Sequence, residues 1–233
     1  MYLLEANIGA GKTTFLRLIQ ERLPEIAVIF EPVHNWQGQV YGQSILSSFY
    51  QDPHRWAYTM ETLAMACRVQ EHLVEQENPN PFRLMERSIY SGHYVFATNG
   101  YHNGFLSELE WQIYLEWFKF LVTGRCKAPQ GFIYMRTTPE IAFERIKKRD
   151  REAEKTISIE YIRQIHECHE NFLIKKQGLL AELIDVPVLV LDCNEEFETN
   201  PQQFDAHARE ISAFLQLGQS GQSPKTHASL HLK

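Results

Sequence analysis

The start of the chain, Met1-Tyr-Leu-Leu-Glu-Ala-Asn-Ile-Gly-Ala-Gly-Lys-Thr-Thr14, limits its possible folds more than any other stretch. A short apolar strand, Tyr2 to Leu4, runs into a glycine-rich turn and then into an amphipathic helix, Phe15-Leu-Arg-Leu-Ile-Gln20. That order builds an anion cradle. Backbone N–H groups of the turn and of the helix N-terminus face the anion, and glycines keep side chains out of its way. The pattern G-x-x-x-x-G-K-[ST] is met from Ala6 to Thr13 except at its first position, where alanine stands. Alanine tolerates positive φ poorly, so that position is expected in ordinary extended backbone. Asn7, Ile8, Gly9, Ala10, Gly11 and Thr14 would wrap the phosphates, Lys12 would reach the terminal ones, and the Thr13 hydroxyl would help hold Mg²⁺. The stretch implies binding of a nucleoside triphosphate.

Bulk properties narrow the rest. With 233 residues the chain can bury one good core, so one domain is expected over residues 1–215, followed by a polar, mobile tail over 216–233. A net charge of −6 lacks the basic footprint of a nucleic-acid binder. No apolar run reaches membrane-spanning length, and the N-terminal strand leaves no room for a signal or transit peptide. Cys67, Cys126, Cys168 and Cys193 are scattered without C-x-x-C spacing, which suggests neither zinc nor a disulfide framework. The cytoplasm fits best, with a mitochondrial location open if a transit peptide has been removed. His166 and His169 read as polar residues of a helix.

Strand and helix signals then alternate, the pattern of a parallel sheet with crossover helices. Ala27-Val-Ile-Phe30 is an apolar run that ends at Glu31-Pro32. Tyr58 to about Glu77 is helical, until Asn78-Pro-Asn-Pro81 breaks it. Phe82 to Met85 reads as a strand ending at Glu86-Arg87-Ser88, and Leu106 to Leu121 as a long aromatic-rich helix. Gly131 to Met135 is the next strand, with a helix starting at Thr138-Pro139-Glu140 and ending in the charged run 145–154. Ile159 to about Leu183 reads as one helix, Val186 to Leu191 as a strand, and Phe204 to Leu215 as the closing helix.

The charged sites at or just beyond these strand ends are the phosphate loop, Glu31, Glu86-Arg87 and the arginine run. Together they form the kit that phosphoryl transfer needs: a cradle, a metal site, a base for the acceptor hydroxyl and cations for spreading charge. At this point the sequence resembles the deoxynucleoside kinases, the family of deoxycytidine, deoxyguanosine and mitochondrial thymidine kinases. The resemblance runs from Tyr2 to about Leu215. It is carried by Ala6–Thr13, Glu31-Pro-Val33 with Trp36, Tyr50 with Pro53 and Arg55-Trp56, Glu86-Arg-Ser-Ile-Tyr-Ser91, Glu110-Trp111, the arginine run and Asn194-Glu-Glu-Phe197.

The resemblance implies a three-layer α/β/α P-loop kinase with a parallel sheet and an arginine-rich lid. It would phosphorylate a deoxynucleoside 5′-OH from ATP with Mg²⁺, as a homodimer packed through long helices. Glu31 would be the general base, Arg87 would hold it and the 5′-oxygen, and Glu86 would help bind Mg²⁺ through water. Arg145, Arg149 and Arg151 match the lid over the phosphates. Phe49, Tyr50 and Glu154 fall on the sugar side, the last two meeting the 3′-OH. Phe96 matches the aromatic stacked on the nucleobase, with Trp36 and Met60 as apolar walls. Glu196 and Phe197 match the loop gripping adenine.

In the base pocket the chain departs from that pattern. Glu61 stands where the family usually has glutamine. Arg68 and Gly92 stand where deoxycytidine and deoxyguanosine kinases have an arginine–aspartate pair. Glu61 and Arg68 are seven residues apart and share a helix face. An ionised Glu61 would accept from guanine N1–H and its 2-amino group, while Arg68 would donate to O6 and N7. That reading gives a preference for deoxyguanosine. The other reading is an internal Glu61–Arg68 ion pair in a broad pocket opened by Gly92. A nucleoside monophosphate kinase shares the loop and lid but not Glu31-Pro-Val or Glu86-Arg-Ser. A non-catalytic member of the fold would have lost Lys12, Glu31 or Arg87, and all three are present.

Overall fold

The computed structural model describes residues 1–33 and 44–217. Tyr2–Ala6 (β1) is buried along its whole length. It pairs in parallel on both sides, with Arg83–Glu86 (β3) and with Gly131–Arg136 (β4). Ala27–Ile29 (β2) lies outside β3, and Val188–Asp192 (β5) outside β4, giving the order β2-β3-β1-β4-β5. A parallel sheet must be covered on both faces. Here alternation along the strands decides which residue faces which layer.

Tyr2, Leu4, Ala6, Ile133 and Met135 face a layer made by Lys12–Arg22 (α1) and Pro201–Leu217 (α9), through Phe15, Leu16, Ile19, Phe204 and Ile211. Leu3, Met85, Phe132 and Tyr134 face the opposite layer. That layer is built by Pro53–Glu75 (α3), residues 89–102 (α4), Glu108–Val122 (α5) and Ile159–His169 (α7). Each fully buried large apolar side chain contributes roughly 1.5–3 kcal/mol. Above the sheet, Phe49 of Ile45–Gln51 (α2) packs with Ala57, Met60 and Ala64 of α3, roofing the C-terminal ends of the strands.

Local signals explain most boundaries. Asp52 caps α3 by accepting from the Arg55 N–H, with Pro53 in the first turn. Ser107 and Glu110 form a capping box that starts α5 two residues after the expected Leu106. Pro187, which has no N–H to give a ladder, delays β5 from the expected Val186 to Val188. Pro139–Arg149 (α6) follows Thr138 as expected.

Three expectations are corrected. The single helix expected over 159–183 breaks after a π-helical turn, Glu170–Ile174. Lys176 (φ 51°) and Gly178 (φ 65°) then turn the chain, and only Ala181–Ile184 (α8) is helical again. Lys176 holds that turn by donating to the Ile184 and Val186 carbonyls, which residue periodicity does not reveal. Helices α2 and α4 are absent from the sequence reading. Serines cap both, and α4 forms despite Gly92 and Gly100 because Tyr90, Val95 and Ala97 are buried. His169 lies in a helix, as expected, but its side chain is inside the core. It is fully buried and stacked on Tyr134 at 5.8 Å, with Nδ1 donating to the Ile165 carbonyl. The closing helix runs to Leu217, so most of the expected tail lies outside the described residues, as does Trp36.

Candidate active site

The phosphate loop divides two cavities at the C-terminal ends of the strands, where open parallel sheets bind ligands. Gly9 and Gly11 take positive φ, 81° and 90°, whereas Ala6 is the last residue of β1 and does not. Glycine is needed at Gly9 for space as well: a Cβ there would stand 2.3 Å from the Ala142 carbonyl oxygen of α6. Asn7 braces the loop, its amide donating to the Ile162 carbonyl at 2.9 Å and its oxygen accepting from the Ile8 N–H. Ala10 is buried, and Gly11 precedes an α1 N-terminus that has no side-chain cap. Those N–H groups are free to face an anion. Lys12 Nζ lies at the loop mouth, 3.2 Å from the Asn7 carbonyl oxygen. Burial and then the Arg87 charge push its pKa down to about 7.

The inner cavity is lined by Lys12, Thr13, Glu31, Glu86 and Arg87 at one end, and by Phe49, Tyr50, Met60, Glu61, Arg68 and Phe96 further in. Arg87 has φ 60°, a strained conformation for a residue with a side chain, and it follows β3 directly. That turn aims the guanidinium at Glu31 Oε2, 3.4 Å away, and over the Phe96 ring at 4.5 Å. The other Glu31 oxygen accepts from Arg68 Nη2 at 2.6 Å and Nε at 3.1 Å. Burial alone would raise the Glu31 pKa, but Arg68, then Arg87 and Lys12, pull it below the usual carboxylate value. Glu31 is therefore ionised at neutral pH and held between two cations.

Thr13 Oγ1 donates to Glu86 Oε1 at 2.8 Å, and Glu86 Oε2 accepts from the Glu31 N–H at 3.4 Å. A hydroxyl and a carboxylate beside the phosphate loop are hard oxygen donors that suit Mg²⁺, which takes few protein ligands and keeps several waters. Among the described residues no cluster of three or more His, Cys, Asp or Glu could hold a metal by itself. Among the described residues no cysteine is in a disulfide.

The lid closes over the same cavity. Arg149 Nη2 lies 2.6 Å from Glu154 Oε2, and Arg151 Nη1 lies 3.6 Å from Oε1. The carboxylate expected at the sugar is thus bound to the two arginines expected at the phosphates. Tyr50 lines the cavity beside it, its pKa raised by burial and by the Glu154 charge.

The outer cavity is lined by Gly9, Gly11, Thr14, Arg145, Arg149, Glu196 and Phe197. Phe197 is 3% exposed and edge-on to Phe15, so it shapes this cavity from within the core. Arg145, expected with Arg149 and Arg151 over the phosphates, is engaged elsewhere. Its Nη1 donates to the Cys193 carbonyl and its Nη2 to those of Asn194 and Glu195, at 2.9–3.2 Å. It ties the lid helix to the loop expected to hold adenine.

The base pocket also differs from expectation. The guanidinium of Arg68 donates to Glu31, instead of being directed at a guanine edge. Gly92 does not leave open space, because a Cβ there would meet Arg68 Nη1 at 2.7 Å. Glu61 has no hydrogen-bond partner among the described residues. Burial and the nearby Glu31 charge push its pKa up to about 7, against the pull of Arg68 and Arg87. It is near its midpoint at neutral pH and not simply an ionised acceptor. The sequence reading missed Glu5, which lies fully buried on β1 with neither oxygen hydrogen-bonded among the described residues. Its signal was a carboxylate inside an apolar strand. Tyr161, which lines the inner cavity, carried no such signal.

Sheet order, phosphate loop and lid define a P-loop phosphotransferase. A sequence model described as deoxynucleoside kinase matches residues 3–216. The chain is 36% identical to deoxycytidine kinase 2 of Gallus gallus, over 91% of this chain and 89% of that one. It is 34% identical to the mitochondrial deoxyguanosine kinase of Xenopus laevis, over 91% and 88%. It is also 36% identical to mitochondrial thymidine kinase 2 of Macaca fascicularis, over 89% and 76%. The chain belongs to the deoxynucleoside kinase family, ATP-dependent phosphotransferases whose acceptor is a nucleoside hydroxyl. Among the described residues no helix is long and apolar enough to cross a membrane.

Proposed function

We propose that the inner cavity takes the deoxynucleoside, the outer one takes ATP, and Glu31 draws the proton from the 5′-OH. The observation that carries this is the Glu31 carboxylate, ionised and gripped by two guanidiniums, in one cavity with Lys12 and the Thr13–Glu86 pair. A base held in place needs no reorganisation when the hydroxyl arrives. Lys12 and the loop N–H groups meet the phosphates, with Arg149 and Arg151 closing over the transferred group. Thr13 and, through water, Glu86 would hold Mg²⁺, which would supply positive charge against the phosphates. Tyr50 and Glu154 flank the sugar, and Phe96 offers a face to the base.

Glu61 is the group that reads the base. Ionised, it accepts from guanine N1–H and the 2-amino group, whereas adenine and cytosine present an acceptor beside their amino group. Deoxyguanosine is therefore the preferred acceptor. The test is initial rates with ATP–Mg²⁺ for all four deoxynucleosides, in the wild type and in Glu31→Gln. Glu31→Gln should lower kcat on the order of 10²–10⁴-fold on every base with KM little changed. Equal kcat/KM for the four bases would overturn the base preference, and an active Glu31→Gln the mechanism.

A homodimer is supported by Leu109, Ile113, Trp117 and Phe120, which lie along one stripe of α5 and are 41–70% exposed. Sedimentation should give a dimer for the wild type and a monomer for Trp117→Glu.

A further inference from the structure

One side chain joins the nucleobase end of the inner cavity to its catalytic end. Arg68 leaves α3 two turns beyond Glu61 and crosses to Glu31, with Nη2 2.6 Å and Nε 3.1 Å from one carboxylate oxygen. Both side chains are about nine-tenths buried, at 9% and 10% exposed. The seat for this guanidinium exists because residue 92 is glycine. The backbone there, φ −52° and ψ −49°, is ordinary helix that any residue adopts. A Cβ would stand 2.7 Å from Arg68 Nη1, so any larger residue would displace the end of the guanidinium.

We propose that Arg68, seated by Gly92, is a positioning residue for the general base Glu31 and not a reader of the nucleobase. This rests on the role of Glu31 given above. Arg68 grips Oε1 through two donors while Arg87 faces Oε2, so the carboxylate plane is fixed from both sides. An ionised carboxylate has about four acceptor positions, which leaves room for the 5′-OH. The other charged groups facing Glu31 are Arg87 and Glu86 at the end of β3, Lys12 on α1 and Glu61 on α3. Base selection is left to Glu61.

The two roles separate in kinetics. Arg68→Met and Gly92→Ala are made in the wild type and in a Glu61→Gln background. Glu31→Gln serves as the reference. Steady-state kcat and KM are measured with each deoxynucleoside and ATP–Mg²⁺.

Arg68→Met should lower kcat by about 10–100-fold, uniformly across accepted bases to within about threefold, with KM little changed. Gly92→Ala, which disturbs only the flexible end of Arg68, should lower kcat in the same uniform way by less, and its ordinary backbone angles keep the fold intact. A loss that falls on KM and differs more than about tenfold between bases makes Arg68 a base reader and overturns the proposal. A Glu31→Gln enzyme with undiminished kcat overturns the general-base role itself, whatever Arg68 does.

Discussion

The two cavities either side of the phosphate loop are built from different materials. The inner one is a set of charged side chains bound to one another: Glu31 with Arg68 and Arg87, all buried, and the buried Glu154 with the partly exposed Arg149 and Arg151. The outer one sets loop backbone beside charged side chains, Arg145, Arg149 and Glu196 among them. It has two glycines with positive φ, an uncapped helix N-terminus, and three carbonyls collected by Arg145. Desolvated side chains penalise a mismatched partner heavily, because an unpaired buried polar group costs about 1–3 kcal/mol. Backbone N–H groups donate to any phosphate alike. On the proposed assignment, discrimination would belong to the inner cavity, and the outer one would recognise what every nucleoside triphosphate shares.

The sharpest way to break that contrast is to damage the backbone side alone. Gly9→Ala would place a Cβ 2.3 Å from the Ala142 carbonyl oxygen at a φ of 81°, so the loop must leave α6. We expect kcat/KM for ATP to fall on the order of 100-fold. The dissociation constant of the deoxynucleoside, read by calorimetry without ATP, should change less than about threefold. An equal loss on both would mean that the cavities are not separable.

The same difference in material governs what the sequence made legible. The phosphate loop, the strand ends carrying Glu31 and Glu86-Arg87, and the sheet class follow from short motifs whose chemistry requires fixed spacing. Arg68 was legible as a group near the site but not by its partner. Its direction depends on a missing Cβ at Gly92, on a helix absent from the sequence reading. Helix α4 was hidden because two glycines lower its local propensity while buried neighbours stabilise it. The protonation state of Glu61 was equally hidden, since it is fixed by burial and by charges brought in from other elements. The break after Ile174 depends on Lys176 reaching two carbonyls downstream. Motif spacing carries local chemistry, and pairings across elements exist only after folding.

A smaller effect sharpens the contrast from the inner side. The Glu61 pKa lies near 7, so the group passes from mostly protonated at pH 6 to mostly ionised at pH 8. Arg68, Arg87 and Glu31 are the charges that face it. Protonated, it offers one donor and one acceptor and matches adenine or cytosine; ionised, it offers acceptors only and matches guanine. The ratio of kcat/KM for deoxyguanosine to that for deoxyadenosine should rise on the order of tenfold across that interval. The ATP kinetic constants should not follow this ratio, and Glu61→Gln should abolish the rise. A ratio flat with pH would show that Glu61 does not face the base.

The smallest expected effect is on stability, and its sign follows from the same carboxyl. The Glu61 pKa is raised from 4.5 in the unfolded chain to about 7 in the fold, so the folded protein binds this proton more tightly. Its contribution is fully present below the unfolded value and is lost as pH rises through the folded one. Above pH 7 the fold carries a buried carboxylate with no hydrogen-bond partner among the described residues, which Glu61→Gln replaces by a neutral amide of nearly the same shape. The substitution should therefore raise Tm at pH 8 by on the order of 5 °C and leave it almost unchanged at pH 5. No exposed carboxylate of the outer cavity should behave this way; Glu196→Gln should shift Tm by less than about 1 °C at either pH. A gain at pH 5 equal to that at pH 8 would mean that the amide packs better, and that the charge of Glu61 is not what the fold opposes.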